Sequence, residues 1–270
     1  MRLSIRHETV YHYTAPLAYT IQQLRLSPRA ERHQRTVSWQ ISTPGRRHEF
    51  IDAFGNLSQI LTIVGPHNEV RIVANGIVEV TPLDRGRLAD TGVLSPLVFS
   101  VPTRLTQPDA AIIDFARCHL RQPHHPGSID LIGLADAVRG AVTYRSGSTC
   151  VNTPAADALR FGAGVCQDHA HLFLACCHVH GIPARYVSGY IDVGSTSHAE
   201  SHAWVDVWVD ESHFVGWVSI DVTHSQFAND RHCRLAVGRD YDSAGPVRGI
   251  RRGGGTESLS VRVDVLPSST

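Results

Sequence analysis

The apolar residues change their period once along the chain, and that single change limits the folds it can adopt. Up to about residue 100 they come in short runs rich in Val, Ile and Thr, such as 35–43, 57–64 and 69–80. Pro44-Gly45, Gly55-Asn56, Gly65-Pro66 and Pro82 separate the runs with turn chemistry, the pattern of short strands ending in reversals. Turns about ten residues apart predict an antiparallel β-sandwich. From about residue 105 the spacing becomes helical. Segments 109–119 and 129–142 carry it, with Leu131, Leu134, Ala135, Val138 and Val142 on one stripe. Thr153-Pro154 reads as an N-cap followed by proline at the first helical position, and Gly162 closes that short helix. A central apolar helix at 165–180 follows, filled by Leu172, Leu174, Ala175 and Val179 and stopped by Gly181 and Pro183. Strands return at 184–191, 201–209 and 216–223, and an Arg/Gly connector at 248–255 leads to a last alternating segment at 259–266. At about 150 residues per domain the length amounts to roughly 1.8 domains. The expectation is an α+β chain: a β domain over 1–103, a mixed core over 104–235, and a C-terminal extension over 236–270 whose final strand is placed to return to the N-terminal sheet.

Composition narrows function more than fold. All 25 basic residues are arginine, and the chain has no lysine. That removes a Walker-type phosphate loop, a kinase phosphate lysine and any Schiff-base lysine, and with them pyridoxal phosphate and lysine aldolase chemistry. The 25 acidic residues bring the formal charge to zero, so no electrostatic footprint for nucleic acid is present. A hydrophobic fraction of 42% is enough for a core and excludes a disordered chain. The longest apolar run, 172–177, is far short of the roughly 20 residues that cross a bilayer. The start, MRLSIRHETVYHY, lacks the apolar segment of a signal peptide. Cysteines at 118, 150, 166, 176, 177 and 233 form no C-x-x-C pair and read as free thiols of a reducing compartment. The expectation is a cytoplasmic protein without nucleic-acid or membrane partners.

Cys166 follows Gly162-Ala163-Gly164-Val165 at the first turn of the central helix. Free N–H groups and the positive end of the helix dipole there favour an anionic sulfur. The two glycines before it let the backbone approach a substrate closely. A small buried cysteine at a helix start is the alternative reading, and it is the reading for the other five. In 201–209, Ala203, Val205, Val207 and Val209 share one face, while His202, Trp204, Asp206 and Trp208 share the other. In 216–223, Trp217, Ser219 and Asp221 lie opposite Val218, Ile220 and Val222. Folding the polar link 210–215 back about its middle brings Asp221 across from His202 or within one pair of it. A carboxylate there would accept the imidazole Nδ1–H and leave Nε2 facing the cysteine; an ordinary polar pair is the alternative.

The run GVCQDHAHLFLACCHVHGIPARYVSGYI, then SHAWVDVWV, then GWVSIDVTH, resembles the bacterial branch of the transglutaminase-like superfamily. HETVYHY and LRLSPR at the start, the DAFGN turn and the late VGRDYDSAGPVRGIRRGGG extend the resemblance over nearly the whole chain. It implies a papain-like core in which a helix-borne cysteine packs on an antiparallel sheet. It also implies Cys166 as nucleophile, His202 as acid/base and Asp221 as orienting carboxylate. Val222 stands where proline is expected after the aspartate. The Cys166 backbone N–H is the expected oxyanion donor. Tyr144, Gln167 and Trp204 are the side-chain candidates for oxyanion or substrate contact, with a structural tyrosine and an exposed glutamine as alternatives.

Seventeen histidines invite a metal reading. His169, His171, His178 and His180 fall on the central helix, with His124, His125 and His198 elsewhere. Residues two apart on a helix diverge, as His169 and His171 must, and no H-E-x-x-H motif occurs, so neither metal nor other cofactor is expected. The expected chemistry is acyl transfer through a thioester. Hydrolysis of a peptide or protein amide comes first, because bacterial relatives of this type resemble cysteine proteases. Protein-glutamine cross-linking comes second. An acyltransferase with a different donor and a non-catalytic binding module on the same fold remain as alternatives.

Overall fold

The computed structural model of the chain describes residues 1–92, 94–120, 126–194 and 201–268. Its first quarter forms four strands, β1 (Arg2–Leu24), β2 (Gln34–Ser42), β3 (Arg46–Ile51) and β4 (Leu57–Val80). Side chains alternate as a half-buried strand requires: Leu3, Ile5, His7 and Thr9 of β1 are buried, and Ser4 and Arg6 between them are exposed. Both β2 and β3 pair antiparallel with β4, one after the other, so they run in the same direction and Pro44-Gly45 does not reverse the chain. Gly65-Pro66 does not end a strand either. It lies inside β4, where Gly65 takes φ +101° and the ladder with β1 slips between His12 and Leu17. Proline has no N–H to give a ladder, so the strand bends there instead of stopping. Ala15-Pro16 marks the same level in β1. Part of the turn chemistry of this region therefore marks a crease across one sheet, while Gly55-Asn56 makes the reversal between β3 and β4. Folded at that crease, the sheet packs Ile41, Val70, Ile72 and Ala74 of one half against Leu17, Leu24 and Leu61 of the other, which gives the two layers of a sandwich from a single sheet.

The core begins with β5 (Arg87–Leu88), α1 (Ala110–His119), α2 (Ser128–Ala141), β6 (Thr143–Tyr144), α3 (Ala155–Phe161), β7 (Ala163–Gly164) and α4 (Cys166–Val179). It continues through β8 (Ala184–Ile191), β9 (Ser201–Glu211), β10 (Phe214–Asp221), β11 (Gln226–Phe227), β12 (His232–Gly238) and the short α5 (Tyr241–Ala244). The main sheet has the order β11-β10-β9-β8-β12, with β5 beside β10. The stripe Leu131, Leu134, Ala135, Val138 and Val142 is wholly buried and packs with α1, α3, α4 and the sheet in one cluster. Helix α4 is buried from Gln167 to His178, with Gln167, Asp168, His169, His171 and His178 as its buried polar residues. Finally β13 (Val247–Gly253) and β14 (Glu257–Pro267) return to the first sheet, where both pair antiparallel with β1. The link between them, Gly253-Gly254-Gly255, lies at the crease with φ values of 91°, 93° and 60°. No helix among the described residues is long and apolar enough to cross a membrane.

Strand β12 ends the core sheet, and such an edge leaves backbone groups open. Two side-chain amides from the N-terminal region close it. Gln34 Nε2 donates to the Arg234 carbonyl at 2.9 Å and Gln34 Oε1 accepts the Arg234 N–H at 2.7 Å. Asn56 Nδ2 donates to the Val237 carbonyl at 2.8 Å and Asn56 Oδ1 accepts the Val237 N–H at 2.8 Å. Each amide stands in for a peptide group of a missing neighbour strand. Asp52 holds Asn56 by accepting its Nδ2–H and backbone N–H, both at 3.0 Å. Asn56→Ala leaves the Val237 N–H and C=O without their partner in a buried place. At about 1–3 kcal/mol for each unpaired group, we expect a loss of roughly 2–4 kcal/mol, read as a drop in thermal midpoint of about 5–10 °C. A midpoint within about 2 °C of wild type would show that water replaces the amide.

Behind this edge lies a buried ionic group. Asp206 accepts from Arg234 Nη1 at 2.9 Å, from Arg234 Nη2 at 2.6 Å and from Arg185 Nε at 2.8 Å. Arg234 Nε also lies 2.9 Å from Glu31, and the Arg185 guanidinium stacks 4.2 Å over Trp217.

Candidate active site

Cys166 opens α4 because the residues around it build a helix start. Gly162 ends α3 in the left-handed region at φ 62°, the conformation that glycine tolerates. Asp168 then folds back so that its Oδ2 accepts the Val165 N–H at 2.8 Å and the Thr149 hydroxyl at 2.6 Å. A Cβ on Gly164 would lie 2.7 Å from Asp168 Cβ. The two glycines thus serve the helix start itself, where the sequence suggested room for a substrate. Cys166 is half-buried; Cys176, Cys177 and Cys233 are buried and Cys118 and Cys150 exposed.

His202 comes from β9 and Asp221 from the end of β10, joined by a hairpin in which Phe214 pairs with Glu211. The ladder runs to Ser219↔Asp206 and Ile220↔Val205, which puts Asp221 level with Trp204 and diagonal to His202 on one face. His202 Nε2 lies 3.0 Å from Asp221 Oδ2, and the Cys166 sulfur is near enough to raise the same imidazole. The carboxylate therefore takes Nε2 and leaves Nδ1 to the thiol, the reverse of the arrangement expected from the sequence.

Charge in this group is strongly coupled. Burial alone would lower the His202 imidazole, but the Asp221 carboxylate and the Cys166 sulfur outweigh it and hold the protonated form well above its usual range. Burial likewise opposes ionisation of Asp221, yet His202, with His224 and His232, holds its carboxyl well below the usual range. Both shifts favour the imidazolium next to the carboxylate.

His224 and His232 were not singled out by the sequence. Both reach the same Asp221 oxygen, His224 Nδ1 at 2.7 Å and His232 Nε2 at 3.0 Å. A signal existed for the first, since a histidine three residues past Asp221 falls in the turn that follows β10. The donor atoms of His202, Asp221 and His232 lie within 4.8 Å of one another, a spacing that a metal ion could use. Here the negative charge on which the imidazole nitrogens converge is the Asp221 oxygen itself.

The remaining singled-out residues have varied surroundings. Trp204 is fully buried, donates its one N–H to Ser219 Oγ at 3.0 Å and lies with its ring 6.0 Å from that of His202. It has no donor left for an oxyanion and acts as a wall of the imidazole. Gln167 is buried and donates one Nε2–H to the Val151 carbonyl at 3.1 Å. Tyr144 in β6 is partly exposed, its ring 6.3 Å from that of His169. Val222 fills the main core. Of the helix histidines, His169 bridges the Val142 carbonyl at 2.8 Å and Thr223 Oγ1 at 3.0 Å, His171 accepts the Tyr241 N–H at 3.1 Å, and His178 donates to the Phe99 carbonyl at 3.0 Å. Burial pushes both His171 and His178 down to about 4, so they are neutral packing groups. His124, His125 and His198 lie outside the described residues.

Comparison with known proteins gives the family and the fold. Residues 3–79 match the bacterial transglutaminase-like N-terminal region, and residues 128–222 match the transglutaminase-like superfamily. An uncharacterized protein of Mycobacterium leprae is 30% identical over 279 residues, covering 98% of both chains. An uncharacterized Mycobacterium tuberculosis protein is 30% identical over 291 residues, covering 98% of this chain and 93% of its own. The crystal structure of a proposed cysteine protease from Cytophaga hutchinsonii has the same fold, with a TM-score of 0.77 at 20% identity over 100% of this chain and 92% of that one. With its N-terminal and core regions both matched and relatives alike from end to end, the chain belongs to the transglutaminase-like superfamily.

Proposed function

We propose that the protein is a thiol-dependent acyl-transfer enzyme that hydrolyses a peptide or amide bond through a thioester. Cys166 is the nucleophile, His202 the acid and base, and Asp221 the carboxylate that orients His202. One observation carries this reading: the His202 imidazole joins a half-buried helix-start sulfur on one side to a buried carboxylate 3.0 Å away on the other. The Cys166 sulfur adds to the amide carbonyl carbon and the carbonyl electron pair moves to oxygen. The Cys166 backbone N–H, among the first donors of α4 and so without an intrahelical partner, meets that oxyanion. Collapse breaks the C–N bond as His202 Nδ1–H protonates the departing amine. Water then gives its proton to His202 and adds to the thioester, and the C–S bond breaks to release the acid.

Two features favour water over an amine as the second nucleophile. Asp206 is tied to Arg185 and Arg234, Asp168 Oδ2 is tied to Thr149 and Val165, and both side chains are buried, so neither carboxylate is exposed to a cationic acceptor. Water at about 55 M competes with millimolar amine unless the site binds the amine and excludes water. The test supplies a glutamine-containing peptide and an excess of a primary amine, and weighs the products by mass spectrometry. We expect mainly the acid, formation of which iodoacetamide abolishes. Amine adduct as the main species would replace the hydrolase by a protein-glutamine transglutaminase. The six unpaired cysteines support action in a reducing compartment, the cytoplasm, on peptide or protein amides.

A further inference from the structure

The Asp221 carboxylate binds more imidazoles than this chemistry requires. His232 stands at the start of β12, paired with Ile191 of β8, and is buried. Its Nδ1 lies 3.1 Å from the Asn229 backbone N–H and 3.1 Å from Asn229 Oδ1. Nε2 lies 3.0 Å from Asp221 Oδ2, and a carboxylate only accepts, so this nitrogen carries a proton and donates. A bare nitrogen lone pair aimed at a buried carboxylate would be repelled, which selects the same tautomer. Burial lowers the His232 imidazole further than Asp221 raises it, so the ring is a neutral donor at physiological pH.

We propose that His232 is a positioning residue: its Nε2–H fixes the Asp221 oxygen where that oxygen meets His202 Nε2, so that β12 sets the aim of the imidazole at Cys166. The inference rests on the acyl-transfer reading above. His224 serves the same oxygen from a side chain that is 40% exposed, where water can replace it. Buried His232 has no such substitute. The titratable groups facing His202 are Cys166 and His169 of α4, Asp221 at the end of β10, His224 in the next turn and His232 of β12. Among them Asp221 raises the imidazole most. Without the His232 donor the carboxylate turns away, support for the imidazolium weakens, and His202 loses its proton at lower pH.

Two variants and one spectrum test this. His232→Phe keeps the volume and removes the donor, whereas His232→Gln returns an N–H near the place of Nε2. By analogy with outer partners of metal-bound imidazoles, we expect His232→Phe to lower kcat about 10–100-fold, counted per alkylatable Cys166, with KM little changed. The alkaline limb of its pH–rate profile should move down by about one unit, and His232→Gln should recover most of the rate. A folded His232→Phe with wild-type kcat, or with slowed kcat and an unmoved alkaline limb, overturns the proposal in favour of a structural role. Nitrogen-15 spectra of the wild-type protein, which need no variant, should place the His232 proton on Nε2; a proton on Nδ1 overturns the proposal even if the Phe variant does not fold. Wild type and Cys166→Ala run in the same assay separate the two ideas, since thiol-independent turnover sinks the acyl-transfer reading and leaves the spectrum to judge His232.

Discussion

Replacing Cys166 by alanine is expected to remove turnover, with kcat falling by a factor on the order of 10⁴–10⁶, the scale set by loss of a covalent nucleophile. Cys176, Cys177 and Cys233 are buried, with their thiols pushed up by burial; Cys118 and Cys150 are exposed, but the Cys166 sulfur is the one that raises the His202 imidazole. The fold should persist, because the change removes one half-buried atom at the first turn of α4 and leaves the Asp168 bonds that start the helix. A shift in thermal midpoint of about 2–4 °C or less, roughly 1 kcal/mol, would agree. The measurement is the rate of amide cleavage by purified wild type and variant, normalised to folded protein. Wild-type cleavage by the variant would end the thioester mechanism.

The largest expected loss of stability lies at Asp206. Two arginines share this carboxylate, with Arg234 gripping both of its oxygens and Arg185 one. Asp206→Asn keeps the shape and removes the charge, leaving Arg185 buried without its anion and Arg234 with only Glu31. Breaking a buried pair from one side costs about 3–5 kcal/mol, equivalent here to a fall in midpoint of roughly 10 °C or more. The pH dependence follows from the same contacts. Burial opposes ionisation of Asp206, but Arg234 and Arg185 outweigh it and hold its carboxyl far below the usual range. A folded-state value below the unfolded one gives stability that is complete above the unfolded carboxyl range and fades only in strong acid. Urea melts at pH 7 read the difference directly, and a variant within about 1 kcal/mol of wild type would mean that Glu31 alone neutralises Arg234.

How much of this was legible in the sequence depends on how locally each feature is encoded. Cys166, His202 and Asp221 each sit in a dense local pattern, a glycine-flanked helix start and two alternating strands, and the structure brings all three together. The nitrogen of His202 that faces the sulfur was read the wrong way round. Period-two alternation gives the face on which a ring lies and not which of its nitrogens meets the carboxylate. His232 stayed hidden because its partner is eleven positions away across β11 and an irregular turn, and one histidine among seventeen carries no periodic signal. The stripe on α2 was legible in full, as a helical period is written within a few turns. Of the turn residues in the N-terminal sheet, Gly55-Asn56 reverses the chain between β3 and β4 as read, whereas Pro44-Gly45 and Gly65-Pro66 do not. Glycine and proline report that a ladder is interrupted, and the same chemistry serves a reversal or a crease. Gln34 and Asn56 could not be foreseen at all, because their partners on β12 are 200 and 181 positions further along.

The closing of the first sheet by β13 and β14 also sets an order of events in time. β1 ends at Leu24 and β13 begins at Val247, so one side of β1 has no partner until nearly the whole chain has been made. At about 5–20 residues per second that interval is roughly 10–45 s on the ribosome. The strands β1 to β4 can pair early through local reversals, but the sheet they form keeps one open edge throughout. Meanwhile α4 and its own sheet are synthesised and can condense, as contacts of short range form sooner than those that close long loops. The first sheet to begin is therefore the last to be completed, and the strands that complete it arrive only after the residues around Cys166, His202 and Asp221 are in place.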